Sequence, residues 1–460
     1  MDGRTRIAGR LIAISGLLAG ALTGAATLVV AGSAVATRGD TAEVVIEATH
    51  VPPLLTAAGE QTELRYDAYC IDPEADETDP PCHLDGTVFI RTGASGPFRE
   101  LPLSVESDTR QFVARVPDQI RSWSKGFTYY AVFAAASSDA TETLPAGGAS
   151  APHQSLPLGS PVDVDLGRHA FGNSARASRR VVEALWGDGR NDAALEEGRN
   201  LSPIGASAFD VDESGTVVLL DQAHRRLLRW RKGAQAPARV PLAIAGTLAD
   251  AMLSPDGSLY VLESVSAPGR TPLVRRFDSY GRALAQTETA ERNPSQIVNG
   301  PSGPLVLQHP SGQWMPVAAA GDPVGPEEQR RRGRSARALP RGGEIVVLRV
   351  GNEIRVARVN AAGVQRSWRI SSETALAEVQ LAEPFGRDVV VVARVYTDES
   401  DEFVVLVLGA KGLVQRISLD AADWAETAPL GRFRLAGTSL YQLGSTSAGA
   451  FVDRFDLEVR

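Results

Sequence analysis

Gly215-Thr-Val-Val-Leu-Leu-Asp221 is a glycine turn that opens a short apolar strand, and this arrangement recurs through the second half of the chain. The first series has six glycines, separated by 42, 46, 40, 43 and 51 residues: Gly215, Gly257, Gly303, Gly343, Gly386 and Gly437. A second series runs out of phase with it: Gly233, Gly281, Gly321, Gly363 and Gly412. Two interleaved turn series of this period predict four-stranded blades around an axis. We therefore predict an all-β fold with a C-terminal six-bladed β-propeller.

Length and charge limit the possible classes of protein. The 460 residues leave room for two or three domains, each with its own core. Apolar residues at 43% and charged residues at 22% are ordinary for a globular protein. The net charge of −8 argues against nucleic-acid binding, which requires a basic face.

Residues 1–36 have the pattern of an export segment. Three arginines precede a stretch, Leu11 to Ala36, that carries no charge and ends in the small-residue motif Ala34-Val-Ala36. This order is typical of a signal peptide and predicts cleavage after Ala36. The uncharged stretch is nearly as long as a membrane span, so an uncleaved anchor formed by residues 11–36 is the alternative. Both interpretations place residues 37–460 outside the cytoplasm.

The chain has two cysteines, Cys70 and Cys82, and we expect them to form a disulfide because the region is predicted to be exported. The loop between them is acidic and rich in proline. Its carboxylates could bind Ca²⁺, although the loop lacks the ordered spacing of a known calcium loop, so a solvated loop is the favoured interpretation. These carboxylates are Asp72, Glu74, Asp76, Glu77 and Asp79. No other cofactor is predicted.

Residues 37–150 contain about seven short strands with period-two alternation, which is typical of a β-sandwich. Phe112-Val-Ala-Arg-Val-Pro117, followed by Gly126-Phe-Thr-Tyr-Tyr-Ala-Val132, resembles the end of an immunoglobulin-like or fibronectin-III-like domain of bacterial surface proteins. Residues 151–177 are rich in Gly, Ser, Pro and Ala and predict a linker. The propeller is predicted to occupy residues 178–460.

The first unit of the propeller resembles an NHL repeat. The segments that carry this resemblance are Val181-Val-Glu-Ala-Leu-Trp-Gly-Asp-Gly189, Leu201-Ser-Pro-Ile-Gly205, Val217-Val-Leu-Leu-Asp221 and Arg226-Leu-Leu-Arg-Trp230. Asp221 and Arg226 match the repeat, and His224 takes the place of its usual asparagine. The resemblance implies that Asp221 and Arg226 are a structural pair that holds a blade turn together.

The two ends of the propeller predict how the ring closes. The last unit supplies only three strands, and Arg179 to Trp186 can supply the fourth. Pairing the two would remove two exposed sheet edges. The third unit fits the pattern least well, because Pro323, Pro326 and an arginine run oppose its fourth strand, so five blades are the alternative to six.

The sequence lacks the motifs of common catalytic sites. It has no G-x-S-x-G elbow, no H-E-x-x-H and no P-loop, and only His224 and His309 lie in the propeller. We therefore assign no catalytic, cofactor or metal residues. The favoured function is a non-enzymatic binding or scaffolding protein of the bacterial envelope or exterior, with a protein or glycan as partner. The alternative is a propeller hydrolase or lyase with its site in the central channel.

An arginine run stands out on this acidic chain: Arg330, Arg331, Arg332, Arg334, Arg337 and Arg341. It predicts either a solvated connection between blades or a loop that contacts an anionic surface. The interleaved aromatic residues that would stack on bases are absent, so nucleic acid is not a predicted ligand.

Overall fold

The protein is built almost entirely of β-strands. The structure is a computed structural model that describes residues 44–72, 82–136, 138–198, 202–244, 246–264, 270–426 and 429–458. Helices in these ranges are short: α1 (Asp118–Arg121), α2 (Pro326–Arg332) and two 3-10 turns, Gly148–Ser150 and Pro429–Gly431. None of the described helices has the length and hydropathy needed to cross a membrane. The predicted all-β class is confirmed, while the export segment at residues 1–36 lies outside the described residues.

The first part of the chain forms two sheets. Their strands are β1 (Val45–His50), β2 (Leu55–Thr56), β3 (Glu63–Ile71), β4 (Leu84–Thr92), β5 (Arg99–Pro102), β6 (Ser104–Val105), β7 (Phe112–Arg115), β8 (Phe127–Ala135), β9 (Thr141–Leu144) and β10 (His153–Pro157). One sheet has the order β1-β3-β7-β6, and the other has the order β2-β10-β8-β4-β5 with β9 against β8. We call this unit the N-terminal domain.

The two sheets share one apolar core because alternate residues of their strands point inward. Leu64 and Tyr66 of β3 pack in the same cluster as Ile90 of β4 and Tyr129 and Phe133 of β8. The predicted disulfide is confirmed: it joins the end of β3 to the residues before β4, with a Cα–Cα distance of 5.8 Å between Cys70 and Cys82. Most of the acidic loop that it closes, residues 73–81, lies outside the described residues.

Seven sheets follow in the described residues, and six of them are the blades of the propeller. Two strands precede the first blade, β11 (Val162–Asp165) and β12 (Arg179–Leu185). Blade 1 consists of β13 (Ala208–Val211), β14 (Val217–Asp221), β15 (Arg226–Trp230) and β16 (Ala238–Pro241). Blade 2 consists of β17 (Thr247–Leu253), β18 (Leu259–Ser264), β19 (Leu273–Phe277) and β20 (Ala283–Glu288). Blade 3 consists of β21 (Asn293–Asn299), β22 (Pro304–His309) and β23 (Gln313–Pro316).

The small pair β24 (Ala318–Ala319) and β25 (Asp322–Pro323) lies between blades 3 and 4 in the chain. Blade 4 consists of β26 (Arg337–Ala338), β27 (Glu344–Val350), β28 (Glu353–Asn360) and β29 (Gly363–Ser371). Blade 5 consists of β30 (Ala375–Phe385), β31 (Asp388–Tyr396), β32 (Asp401–Gly409) and β33 (Gly412–Asp420). Blade 6 consists of β34 (Phe433–Ala436), β35 (Ser439–Thr446) and β36 (Gly449–Asp456), with β12 as its fourth strand.

The recurring glycines are at the turns of the blades. All eleven members of the two series have positive φ, for example 82° at Gly215 and 78° at Gly233. Residues with a Cβ rarely adopt this conformation, which explains why glycine recurs at these positions. The first series connects the first and second strands of each blade, and the second series lies at later turns.

The ring is closed by β12, which pairs with β36 in antiparallel register from Arg179↔Arg454 to Leu185↔Gly449. Blade 6 is therefore built from both ends of the propeller, as predicted. Apolar residues of β12, including Val182 and Ala184, pack with Phe209 and Leu228 of blade 1. This contact joins the last blade to the first.

Blade 3 differs from the others, as its sequence predicts. Helix α2 occupies the place in the chain where a fourth strand would be expected. Pro326 is suited to the first turn of a helix and cannot donate to a sheet ladder. The side chain of Gln329 on α2 donates to the carbonyls of Glu288 and Val324, which fastens the helix to the end of blade 2.

The N-terminal domain covers one face of blade 4. One face of this blade packs on blade 5, and the opposite face, with Val346 and Leu348, packs on Leu55, Leu156 and Leu158 of the N-terminal domain and its C-terminal extension. Neighbouring blades elsewhere in the described ring meet through apolar clusters of their own. The N-terminal domain therefore covers, on this face of blade 4, apolar residues of the kind that other blades bury against a neighbouring blade.

The segment at residues 151–177 is structured, whereas the sequence predicts a linker. Strand β10 belongs to the N-terminal domain, and β11 pairs in parallel with β29 as a fifth strand of blade 4. The chain then follows the outer edge of the ring, where the amide of Ala175 donates to the Ser418 carbonyl and that of Ser178 to the Arg454 carbonyl. Backbone pairing with the outer strands thus orders a segment whose composition alone predicts flexibility.

Candidate functional site

A buried ionic cluster joins the inner strands of blades 1, 2 and 6. The Arg434 guanidinium on β34 donates to Asp250 Oδ1 on β17 over 2.7 Å and lies 3.5 Å from Asp210 Oδ1 on β13. The remaining carboxylate oxygens accept backbone amides of the next inner strand. Asp210 Oδ2 accepts from Leu253 at 2.7 Å, and Asp250 Oδ2 accepts from Ile297 at 3.0 Å. Three of the four carboxylate oxygens therefore accept a hydrogen bond, and the fourth, Asp210 Oδ1, lies at ion-pair distance from the guanidinium.

Burial dominates the electrostatics of this cluster. It raises the pKa of Asp210 to about 6, although Arg434 and two backbone amides act in the opposite direction. Burial also raises the pKa of Asp250, again opposed by Arg434. Two carboxylates that share one guanidinium and accept backbone amides of neighbouring strands hold these strands together.

The 3-10 turn Pro429–Gly431 adds contacts across the ring. Gln296 of blade 3 donates to the Leu430 carbonyl at 3.1 Å, and Arg434 donates to the same carbonyl at 3.0 Å. A Cβ built at Gly431 would lie only 3.0 Å from the Ser207 carbonyl and from the side chain of Ala208. The turn therefore packs against blade 1 and is also hydrogen-bonded to blade 3. It thus connects inner strands that surround the propeller axis.

The predicted structural pair, Asp221 and Arg226, is at the end of blade 1 where β14 turns into β15. Arg226 Nε donates to Asp221 Oδ2 at 2.8 Å, and Asp221 Oδ1 accepts the amide of Ala194. His224 lies between two carboxylates, with Nδ1 at 2.9 Å from Asp221 Oδ2 and Nε2 at 3.3 Å from Asp188 Oδ1. The pair also fixes the incoming chain, because Arg226 donates to the Asp192 carbonyl. These contacts hold the turn of blade 1 against residues 188–194 of the incoming chain.

Each of the six arginines of the run has a partner within the protein. Arg330, Arg331 and Arg332 lie on α2 and Arg334 follows it, so this part of the run is a helix and not the predicted loop. Arg331 and Arg332 pair with Glu328 of the same helix, and Arg341 pairs with Glu213 of blade 1. Two more bond inside the fold: Arg330 to the Ala290 carbonyl, and Arg337 to Glu383 and the Ala382 carbonyl. Arg334 is exposed and donates to the carbonyl of its neighbour Gly333. Exposed arginines thus remain at Arg331, Arg332, Arg334 and Arg341.

An open cleft of about 880 Å³ lies where blade 6 meets blade 1. Its walls are β12 and the ends of blade 6 on one side and two turns of blade 1 on the other, with the largely buried Trp230 and Tyr441 also lining it. Five cationic side chains face three carboxylates in its lining: Arg179, Arg180, Arg231, Lys232 and Arg454 against Glu183, Asp212 and Glu213. The cleft is therefore a basic concavity on an acidic protein.

Most carboxylates near the cleft already have partners. Asp212 accepts the amide of Thr216, which stabilises its own turn, and Glu213 pairs with Arg341. By contrast, no carboxylate of the described residues lies within ion-pair distance of Arg179, Arg231 or Lys232. The cleft thus offers free positive charge. In the described ranges, no group of three or more His, Cys, Asp or Glu side chains is arranged to hold a metal ion.

Comparison with known proteins does not identify the function of the chain. No family model and no curated protein matches the chain. Among solved structures it is similar to virginiamycin B lyase from Staphylococcus aureus, with 9% identity, a TM-score of 0.34 and coverage of 55% of this chain and 95% of that chain. It is also similar to the PQQ-bound aldose sugar dehydrogenase from Streptomyces coelicolor, with 10% identity, a TM-score of 0.34 and coverage of 62% and 98%. A third is YCF48 bound to D1 peptide, with 10% identity, a TM-score of 0.29 and coverage of 63% and 99%.

The values are too low to transfer an activity, a ligand or a repeat family to this chain. Its function must be argued from its own side chains.

Proposed function

We propose that the chain is an exported, non-enzymatic binding or scaffolding protein of the bacterial envelope or exterior, which takes a protein or glycan partner at the junction of blades 6 and 1. The observation that carries the proposal is the cleft of about 880 Å³ with unpaired cations on both walls. Concave surfaces with convergent polar groups are the usual places for ligands. Arg434 and backbone amides hold the carboxylates of Asp210 and Asp250 between the inner strands, which favours a structural role for this cluster and leaves the cleft as the better candidate for a ligand.

The proposed test uses the exported protein as it is recovered from the producing cells. Retention on isolated envelope fractions is measured for the wild type and for a variant with Arg179→Glu and Lys232→Glu. The matched control carries Arg387→Glu and Lys411→Glu, which change the same residue types at exposed positions of blade 5. We expect the cleft variant to lose most of its retention and the control to keep it, and equal retention of all three would contradict the proposal.

Treating the envelopes separates the two partner classes. Protease treatment of the envelopes before mixing should abolish retention when the partner is a protein. Glycan hydrolases should abolish it when the partner is a glycan. Retention should fall with salt in both cases, because exposed charges are screened.

The arginine run gives a separate proposal for contact with an anionic surface. It rests on Arg331, Arg332 and Arg341, whose side chains are 67%, 50% and 86% exposed. Serine at these three positions should lower retention at low salt and have little effect at high salt. Equal retention at low salt would mean that the run only stabilises the fold.

A second candidate, a propeller hydrolase or lyase, is favoured by His224. Its ring lies between the buried Asp221 and the fully exposed Asp188, and a histidine oriented by a buried carboxylate can act as a general base. Turnover of lactone or ester substrates by the wild type, and its loss in His224→Ala, would support this function. Absence of turnover across such substrates would leave the binding function as the better account.

A further inference from the structure

The outermost strand of blade 6 has a free edge, and residues of this strand line the cleft. β12 pairs with β36 on one side only. On its other side, the Leu185 carbonyl accepts the amide of Ala193, and these residues end the strand. In the described part of the chain, no strand pairs with the outer edge of Arg179–Ala184. An unpaired edge of this length is a template for another strand.

The same chain shows how such an edge can be occupied. On blade 4, Val162-Asp-Val-Asp165 forms β11 and pairs in parallel with the outer strand β29. Val164 is buried in the cluster between blades 4 and 5, and Asp163 accepts from Arg369 Nε at 2.7 Å. An extended segment that alternates apolar and acidic residues therefore adds to a blade edge through backbone bonds, one apolar contact and one ion pair.

The edge of β12 offers the same kinds of partner. It carries Arg179 and Arg180, and Arg231 and Lys232 line the blade 1 wall of the same cleft. Charged side chains on an edge discourage pairing with apolar strands. Because cations outnumber carboxylates in the lining of the cleft, pairing with an acidic strand would still be favourable. Val181 and the 57% exposed Leu185 provide apolar surface in the same strand.

We propose that this cleft binds an extended, acidic segment of a partner protein, which adds as a further strand to the free edge of β12. The inference rests on the proposed binding function. It specifies the partner as a protein segment in which Asp or Glu alternates with β-branched residues. Backbone hydrogen bonds would supply register, and Arg179, Arg231 and Lys232 would select for negative charge.

The probe is a labelled peptide with the sequence Ser-Pro-Val-Asp-Val-Asp-Leu-Gly, which copies residues 160–167, and its binding to the full chain is measured by fluorescence anisotropy. A peptide with lysine in place of both aspartates should bind at least about tenfold more weakly, because like charges then meet in the cleft. The Arg179→Glu and Lys232→Glu variant should lose binding to a similar extent. The Arg387→Glu and Lys411→Glu control should bind as the wild type does.

Strand addition is tested separately from simple charge attraction. Two further peptides keep every side chain but carry N-methyl groups on alternate backbone nitrogens. One peptide is methylated at the odd positions and the other at the even positions. Only one set can face β12, so one peptide should lose about tenfold in affinity while the other changes little. Equal affinities for the two, together with full displacement by inorganic polyphosphate, would overturn strand addition and leave an anion site.

Failure of this inference is distinguishable from failure of the proposed function. If the peptides do not bind but envelope retention still depends on Arg179 and Lys232, the partner is not an extended acidic protein segment and the binding function stands. If retention and peptide binding are both insensitive to these residues, the cleft is not the binding surface.

Discussion

Arg434 donates to Asp250 over 2.7 Å although 184 residues separate them in the chain. The bond runs from the inner strand of blade 6 to the inner strand of blade 2. Asp210 of blade 1 lies 3.5 Å from the same guanidinium. Blade 1 is therefore held between its neighbours by one buried cation, in addition to the apolar contacts on its two faces. The free energy of unfolding of the ring should depend strongly on this single side chain.

Replacing Arg434 by methionine should lower the free energy of unfolding by about 3–5 kcal/mol at neutral pH, because it leaves two buried carboxylates without a counter-charge. Urea denaturation at about pH 7.5 measures the change. Arg180→Met is the control, since Arg180 pairs with Asp453 at the surface and should cost within about 1 kcal/mol. Similar losses in the two variants would show that the cluster is not a stabilising centre.

The raised pKa of Asp210 predicts how the free energy of unfolding changes with pH. Its pKa is raised from 3.8 to about 6 in the folded protein, so the folded state binds its proton more tightly than the unfolded state. The stability from this proton is fully present below about pH 4 and is lost as the pH rises through 6, by up to about 3 kcal/mol. Asp210→Asn removes this loss. The stability of the variant relative to the wild type should therefore increase between pH 4 and pH 7.

The measurement is a series of urea denaturation curves over that pH range. Asp278→Asn is a useful control, because backbone and side-chain donors, chiefly the amide of Arg282, lower the pKa of this exposed carboxyl. Its relative stability should not increase with pH. A flat difference between Asp210→Asn and the wild type would mean that Asp210 is ionised throughout the range.

His50 predicts the opposite trend in the N-terminal domain. Its ring is buried, with Nδ1 at 2.6 Å from the Arg65 carbonyl and Nε2 at 2.7 Å from the Tyr129 hydroxyl. Nδ1 must therefore carry the proton, and Nε2 accepts from Tyr129. Burial lowers the pKa of His50 from 6.5 to about 4, so stability present above pH 6.5 is lost as the pH falls towards 4. The loss attributable to this residue is up to about 3 kcal/mol.

His50→Asn keeps a donor for the Arg65 carbonyl and removes the titrating ring. The variant should be less stable at neutral pH but lose less stability on acidification, as measured by the unfolding free energy between pH 7 and pH 4.5. The two curves should run parallel above pH 7, which serves as the internal control. Equal slopes below pH 6.5 would contradict the expected role of His50.

The turns and strand order of the propeller could be predicted because they depend on local chemistry. Glycine is favoured wherever a turn needs positive φ, and Gly215, Gly257 and their successors all have it. The closing strand was also predictable, since the last blade lacks a strand and residues 179–186 have strand character. The structural role of Asp221 and Arg226 follows from bonds between near neighbours in sequence.

The ionic cluster could not be predicted from the sequence, because Asp210, Asp250 and Arg434 meet only after the ring has closed. A signal was nevertheless present: both aspartates lie shortly before a glycine turn of the first series, in equivalent inner strands. The ordered structure of residues 151–177 could not be predicted from composition. Composition indicates local flexibility, but it does not show that β11 pairs with the outer strand of blade 4. The position of the N-terminal domain depends on Leu55 and Leu156, whose partners in blade 4 are about 200–300 residues away.

The contact between the N-terminal domain and blade 4 gives the last prediction. Leu55 is fully buried there with Val346 and Leu348, and the Arg355 guanidinium donates to the Leu55 carbonyl at 2.9 Å. Leu55→Ala should lower the free energy of unfolding by about 2–5 kcal/mol, because the cavity opens in a tightly packed cluster. Since this cluster also covers blade 4, amide hydrogen exchange should accelerate in β27 and β28. Leu284→Ala, at a 46% exposed position of β20, is the control and should change neither quantity appreciably. Faster exchange confined to the N-terminal domain, with blade 4 unchanged, would show that the propeller is complete without it.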